Sequence, residues 1–163
     1  MVQLEFEGVI EDSRWGFAEG DGSFGAFLSK IAGSIVAGYP ALSQPVQASV
    51  LLANDSRVQT LNRDYRNQDK PTNVLSFESG ETEADPETGR LYLGDIAISF
   101  ETVQREADEA GKTLLDHLSH MVVHGTLHLC GFDHLNDDEA EEMETLETAI
   151  LETLGISNPY AES

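Results

Sequence analysis

The segment 124–134 reads HGTLHLCGFDH and holds three of the five histidines of the chain. His124 and His128 are four residues apart in a helical pattern, so both imidazoles project from one face, about one turn from each other. Gly131 then lets the chain leave the helix and turn back, because glycine accepts left-handed dihedrals at little cost. That turn can return His134 to the same point in space. Three converging imidazoles that leave a fourth position for water are the donor set of a catalytic zinc rather than a structural one. The expectation is one zinc ion per chain, on His124, His128 and His134. The spacing matches the metallopeptidase motif H-E-x-x-H-x-x-G-x-x-H with one letter changed. Gly125 stands where the peptidase carries its general-base glutamate, so the ligands are kept and the proton shuttle is gone.

The neighbouring polar residues are less specific. His117 and His120 fall one or two turns earlier on the same helix and read as supporting side chains rather than ligands. Cys130 points away from the His124–His128 face and reads as a small buried residue. Asp133 either orients an imidazole and helps move a proton, or caps the turn after Gly131. Asp95, in LGDIAIS, is a carboxylate in a largely apolar strand and needs a partner, either a histidine N–H or a backbone turn. Asp133 and Asp95 are thus the two candidates for a general base. The acidic run DDEAEEMETLE reads as the solvated face of the last helix, its first acids favoured by the helix dipole.

The elements that must position these residues follow from periodicity. A length of 163 residues suits one domain, expected to span 1–163, and 40% apolar with 24% charged residues is the mix of a globular chain with a core. Val2 to Ile10, Val46 to Ala53, Val74 to Phe77 and Leu91 to Ser99 read as strands. Helices are expected from Phe24 to Gly38, after a cap at Asp55 or Ser56, over 100–110 and 113–129, and from a cap at Asn136 to Leu154. Residues 16–25 and the acidic 78–90 read as loops. About four strands among five helices make an α+β (mixed α/β) domain with a zincin-like metal-binding helix, whose strand order the pattern does not fix. No apolar run reaches the length of a membrane span, the N-terminus lacks the basic residues of a signal peptide, and there is one cysteine. Those features point to the cytoplasm, with no membrane partner.

Charge narrows the partners. Thirty acids against nine bases give a net charge of −21, and after Lys112 eleven acids follow without a single Lys or Arg. This argues against binding a polyanion through bulk attraction, and no DNA partner is expected. The segment 57–70 leans the other way, with Arg57, Arg63, Arg66 and Lys70 against Asp64 and Asp69. Any anionic ligand belongs there.

Together HMVVHGTLHLCGFDH, the upstream LNRDYRNQDKPTNVLSF, the LGDIAIS strand and the tail DDEAEEMETLETAILETLG resemble the YbeY family of bacterial endoribonucleases and ribosomal RNA maturation factors. The likeness runs from about residue 46 to Tyr160. It implies one metal site, normally zinc, on His124, His128 and His134. It also implies cleavage of single-stranded RNA, processing of the 16S small-subunit ribosomal RNA 3′ end, ribosome quality control, and contact with the ribosome. Arg66 occupies the family's functional arginine position in Y-R-x-x-D-x-P-T, and Arg66 and His124 are the expected catalytic residues. Glu78 stands where relatives often carry proline and Cys130 where leucine is common; neither touches a ligand.

Zinc would bring the pKa of a bound water toward ~7, and Arg66 would neutralise the non-bridging oxygens through two parallel N–H bonds. Both the RNA 2′-hydroxyl and a zinc-activated water remain as nucleophiles. Two competing readings are a metallopeptidase-like hydrolase and a ribosome-assembly factor with a mainly structural zinc. A basic small-subunit ribosomal protein would suit the acidic surface.

Overall fold

The structure is a computed structural model that describes residues 3–18, 20, 22–40, 42, 44–132 and 136–157. Four strands, β1 (Leu4–Ile10), β2 (Val46–Ala53), β3 (Val74–Glu78) and β4 (Leu91–Ser99), form one sheet in the order β1-β2-β4-β3. β1, β2 and β4 run parallel, and β3 is antiparallel on the edge beside β4. Among the described residues five α-helices accompany them: α1 (Ser23–Gly38), α2 (Asp55–Arg66), α3 (Phe100–Ala110), α4 (Leu114–Leu129) and α5 (Asp137–Thr153). This is the expected α+β class. Among the described residues no helix is long and apolar enough to cross a membrane.

Side-chain alternation assigns the two faces of the sheet. Val46, Ala48, Val50 and Leu52 of β2, with Ile96 and Ile98 of β4, are buried in the main core with α1, α4 and α5. The other face is thinner. There α2 covers only a small cluster of Ala53, Val58 and Ala97, with Leu51, Leu61 and Leu75 beside it. α4 is buried nearly all round, from Leu118 through Leu129, as a helix enclosed between sheet and neighbouring helices must be. Gly125 permits the close approach: a Cβ there would stand 2.9 Å from Ile96 Cγ2 and 3.1 Å from Ser76 Oγ. The Ser76 hydroxyl donates to the Gly125 carbonyl at 3.1 Å, tying α4 to the edge strand.

Local signals explain the element ends. α2 is capped by Asn54, whose side chain accepts from the Arg57 N–H at 2.9 Å, one residue before the expected cap. Asp55 is thereby released for another task. Its carboxylate accepts from the Thr102 hydroxyl at 2.7 Å and from the Ser99 hydroxyl, joining the start of α2 to the start of α3. Thr113 caps α4 and Asn136 caps α5. β4 runs unbroken through Gly94 and Asp95 with a register shift against β2. The first loop holds a short 3-10 turn whose Trp15 is buried and donates its indole N–H to the Ala53 carbonyl at 3.0 Å.

Candidate functional site

Successive turns of α4 carry His120, His124 and His128, and α5 answers them with Glu147. The His124 Nδ1 hydrogen-bonds Glu147 Oε1, and His120 Nε2 lies 3.2 Å from Glu147 Oε2. Glu147 is 0% exposed, between the buried Met143 and the buried Ile150 and Leu151. The reading of the acids of DDEAEEMETLE as the solvated face of the helix is therefore wrong at the last of them, Glu147. Position 147 follows Met143 by four and precedes Ile150 by three and Leu151 by four, which places it on the apolar stripe of the helix. That spacing was the available signal, and the surrounding acids masked it.

The other side of His124 faces His128, with the two Nε2 atoms 3.0 Å apart. Two nitrogens on one zinc, each at about 2.0–2.1 Å and tetrahedrally disposed, stand roughly 3.3 Å from each other. The pair fits such an ion within a few tenths of an ångström. His120, His124 and Glu147 also offer donor atoms within 4.8 Å of one another, a second arrangement that could hold a metal ion. His134 and Asp133 lie outside the described residues.

A cleft of about 710 Å³ opens beside these rings. His124, His128, Gly131 and Phe132 form one wall, residues 72–76 and Glu78 another, and Arg66 reaches the same space from α2. The chain after α2 is held so that Arg66 stays there. Asn67 takes a left-handed conformation, and the buried Asn62 donates its amide to the Lys70 carbonyl at 2.9 Å. Arg66 donates from Nη2 to the Ser76 carbonyl, and its Cζ sits 5.3 Å from the Phe77 ring centre. An arginine some sixty residues upstream thus shares a cleft with the histidines.

The remaining sequence candidates are placed elsewhere. His117 Nε2 lies 2.9 Å from Glu106, which also accepts from the Asn73 amide at 3.0 Å, so His117 bridges α4 to α3. Burial pushes the His117 pKa down, and the bond to Glu106 opposes that shift without reversing it. Cys130 is half-buried at the end of α4, where burial pushes its thiol up to about 11. A thiol protonated at neutral pH is the opposite of what a nucleophile needs. Asp95 has neither of the partners expected of it: it accepts from the Tyr92 hydroxyl. Burial first, and that bond second, push the Tyr92 phenol up to about 12. Asp95 pairs with Phe77 in register, while its neighbour Ile96 points to α4, so Asp95 is on the sheet face away from the histidines. It does not line the histidine cleft. Its groove, about 740 Å³, meets the histidine cleft at Arg66 and Glu78.

With this geometry in view, the comparisons with known proteins agree with one another. The sequence model of the family described as "Endoribonuclease YbeY" matches residues 26–155. A protein named Endoribonuclease YbeY from Paramagnetospirillum magneticum is 56% identical over 119 residues, covering 72% of this chain and 73% of that one. One of the same name from Allorhizobium ampelinum is 46% identical over 163 residues, covering 99% and 97%. A Thermotoga maritima protein solved in solution superposes with a TM-score of 0.55 over 98% of this chain and 99% of its own, at 22% identity, which shows a shared fold.

Proposed function

The chain belongs to the YbeY family of endoribonucleases, hydrolases of RNA phosphodiester bonds, and we propose that its residues 1–163 act as one domain cleaving single-stranded RNA with one zinc ion on His124, His128 and His134. The observation that carries this reading is the cleft in which Arg66 meets His124 and His128. Zinc, when bound, supplies Lewis-acid charge and a more acidic water. Arg66 does the rest of the charge work. Anchored by the Ser76 carbonyl and lying by Phe77, its guanidinium keeps further N–H groups for two parallel bonds to phosphate oxygens. Such donors are already oriented when charge develops on the phosphate, so little reorganisation is needed in the transition state. His124 has a ring edge in the cleft and is the second catalytic candidate.

The metallopeptidase reading loses ground on packing. The position of its glutamate is held by Gly125, where even a methyl group would press on Ile96 and Ser76. We further propose that the substrate is small-subunit ribosomal RNA near its 3′ end, that the enzyme serves ribosome quality control in the cytoplasm, and that a basic ribosomal protein is a partner. The competing reading, an assembly factor with a mainly structural zinc, has no use for an arginine beside the histidines. Turnover of a single-stranded RNA by zinc-loaded protein decides between them. Cleavage should disappear with a chelator and in His124→Ala, and His128→Ala should bind far less zinc by metal analysis while Cys130→Ser keeps it. Chelator-resistant cleavage, or stoichiometric zinc in His128→Ala, would sink the assignment.

A further inference from the structure

We propose that Glu147 is the positioning residue of the histidine cleft, accepting N–H bonds from His124 and His120 so that the His124 Nε2 lone pair is held on the cleft side for a metal ion. The inference rests on reading His124 and His128 as ligands. A carboxylate that is 0% exposed is tolerated only where donors face both of its oxygens. Glu147 has them: His124 Nδ1 at Oε1 and His120 Nε2 at Oε2. An ionised carboxylate only accepts, so the ring nitrogen turned toward it must carry the proton. A neutral imidazole carries one N–H, and with Nδ1 protonated the Nε2 of His124 is a bare lone pair.

That lone pair lies 3.0 Å from His128 Nε2, the approach a shared cation would reward. His120 cannot use the same atom for metal and for Glu147, which makes it a second clamp on the carboxylate. The four-residue rise from His120 to His124 spans one turn, so a single carboxylate can reach both rings. Buried Met143, Ile150 and Leu151 hold Glu147 in place, coupling the α4–α5 packing to the orientation of one imidazole. Carboxylates that orient a ligating histidine in this way commonly matter tenfold to a hundredfold in metal affinity.

Glu147→Gln keeps the shape and removes the charge and one acceptor. The variant should fold, and zinc competition against a chromogenic chelator should show affinity about tenfold to a hundredfold weaker. Long-range 1H–15N correlation spectra of the metal-free parent should show His124 as the Nδ1–H tautomer, with that preference lost in the variant. The parent spectrum alone suffices should the variant not fold: His124 found as Nε2–H would overturn the assignment. Zinc affinity within threefold of the parent would also overturn it. Abolished zinc binding with an unchanged His124 tautomer would make Glu147 a ligand of the His120–His124–Glu147 arrangement instead. His128→Ala separates the two levels. Zinc retained there defeats the metal reading itself, whereas zinc lost there but held normally by Glu147→Gln defeats the role of Glu147 alone.

Discussion

Arg66 comes from the end of α2 and the histidines from α4, and their shared cleft turns a surface arginine into a candidate for phosphate binding. A lysine at 66 could replace the charge but not the planar fork, and could not hold the Ser76 carbonyl and two phosphate oxygens together. Losing a charge-assisted pair in the transition state costs on the order of 2–4 kcal/mol, roughly thirty- to a thousand-fold in rate. Arg66→Lys should therefore fold, bind zinc as well as the parent does and cleave single-stranded RNA that much more slowly. Arg63→Lys is the control, since Arg63 is 54% exposed and pairs with its neighbour Asp64 at 3.2 Å. Such surface pairs contribute little, and that variant should cleave like the parent. Cleavage by Arg66→Lys within about threefold of the parent, under ~0.7 kcal/mol, would reduce Arg66 to general electrostatics.

Among the elements, α4 decides most, because it must carry the histidines and also lie flat on the edge of the sheet. Alanine at 125 would gain up to about 1 kcal/mol of helix propensity over glycine. Against that, its Cβ would press on Ile96 Cγ2 at 2.9 Å, a branched methyl fixed in a central strand, and overpacking of this kind costs about 1–3 kcal/mol. Gly125→Ala should thus lower the unfolding free energy by a net ~1 kcal/mol, read as a lower urea midpoint, and disturb the Ser76 contact near Arg66; a raised midpoint would show that the contact relaxes freely. Much at this scale was legible in the sequence. β2 and β4 alternate with period two and α4 and α5 carry apolar residues at helical spacing, so their limits agree with expectation to within about a residue. The strand order was not legible, because β3 joins the sheet antiparallel and beyond β4, a pairing that no local period encodes. In the site, His124 and His128 announced themselves by spacing. Glu147 did not, because a buried acid inside an acidic run looks like its solvated neighbours until the opposing helix is in place. Asp95 misled in the reverse sense: its apolar surroundings suggested burial, but it is exposed and its partner is Tyr92 on the same strand.

At the scale of the whole molecule, the −21 charge and the cleft pull in opposite directions. An enzyme for a polyanion ordinarily spreads cations along the path of its substrate. Here, among the described residues, Arg66 is the one Lys or Arg lining the cleft, with Glu78 on the cleft wall itself. Few phosphates can then be neutralised. For single strands the affinity falls with salt at a logarithmic slope of about −0.7 per phosphate contact, so two or three contacts give a drop of roughly tenfold between 50 and 200 mM salt. Free RNA should accordingly bind weakly, with that shallow slope in a titration by fluorescence anisotropy; a slope several times steeper would mean an extended basic path that the charge distribution does not provide. If the proposed ribosomal role holds, a basic ribosomal protein would complement these acids. A purified basic small-subunit ribosomal protein, mixed with nuclease-treated protein at moderate salt, should bind more tightly than a single-stranded RNA of matched length and should release as salt rises. If association required RNA and vanished with the nuclease, the acidic surface would be serving solubility alone, and the enzyme would have to find its substrate through the cleft unaided.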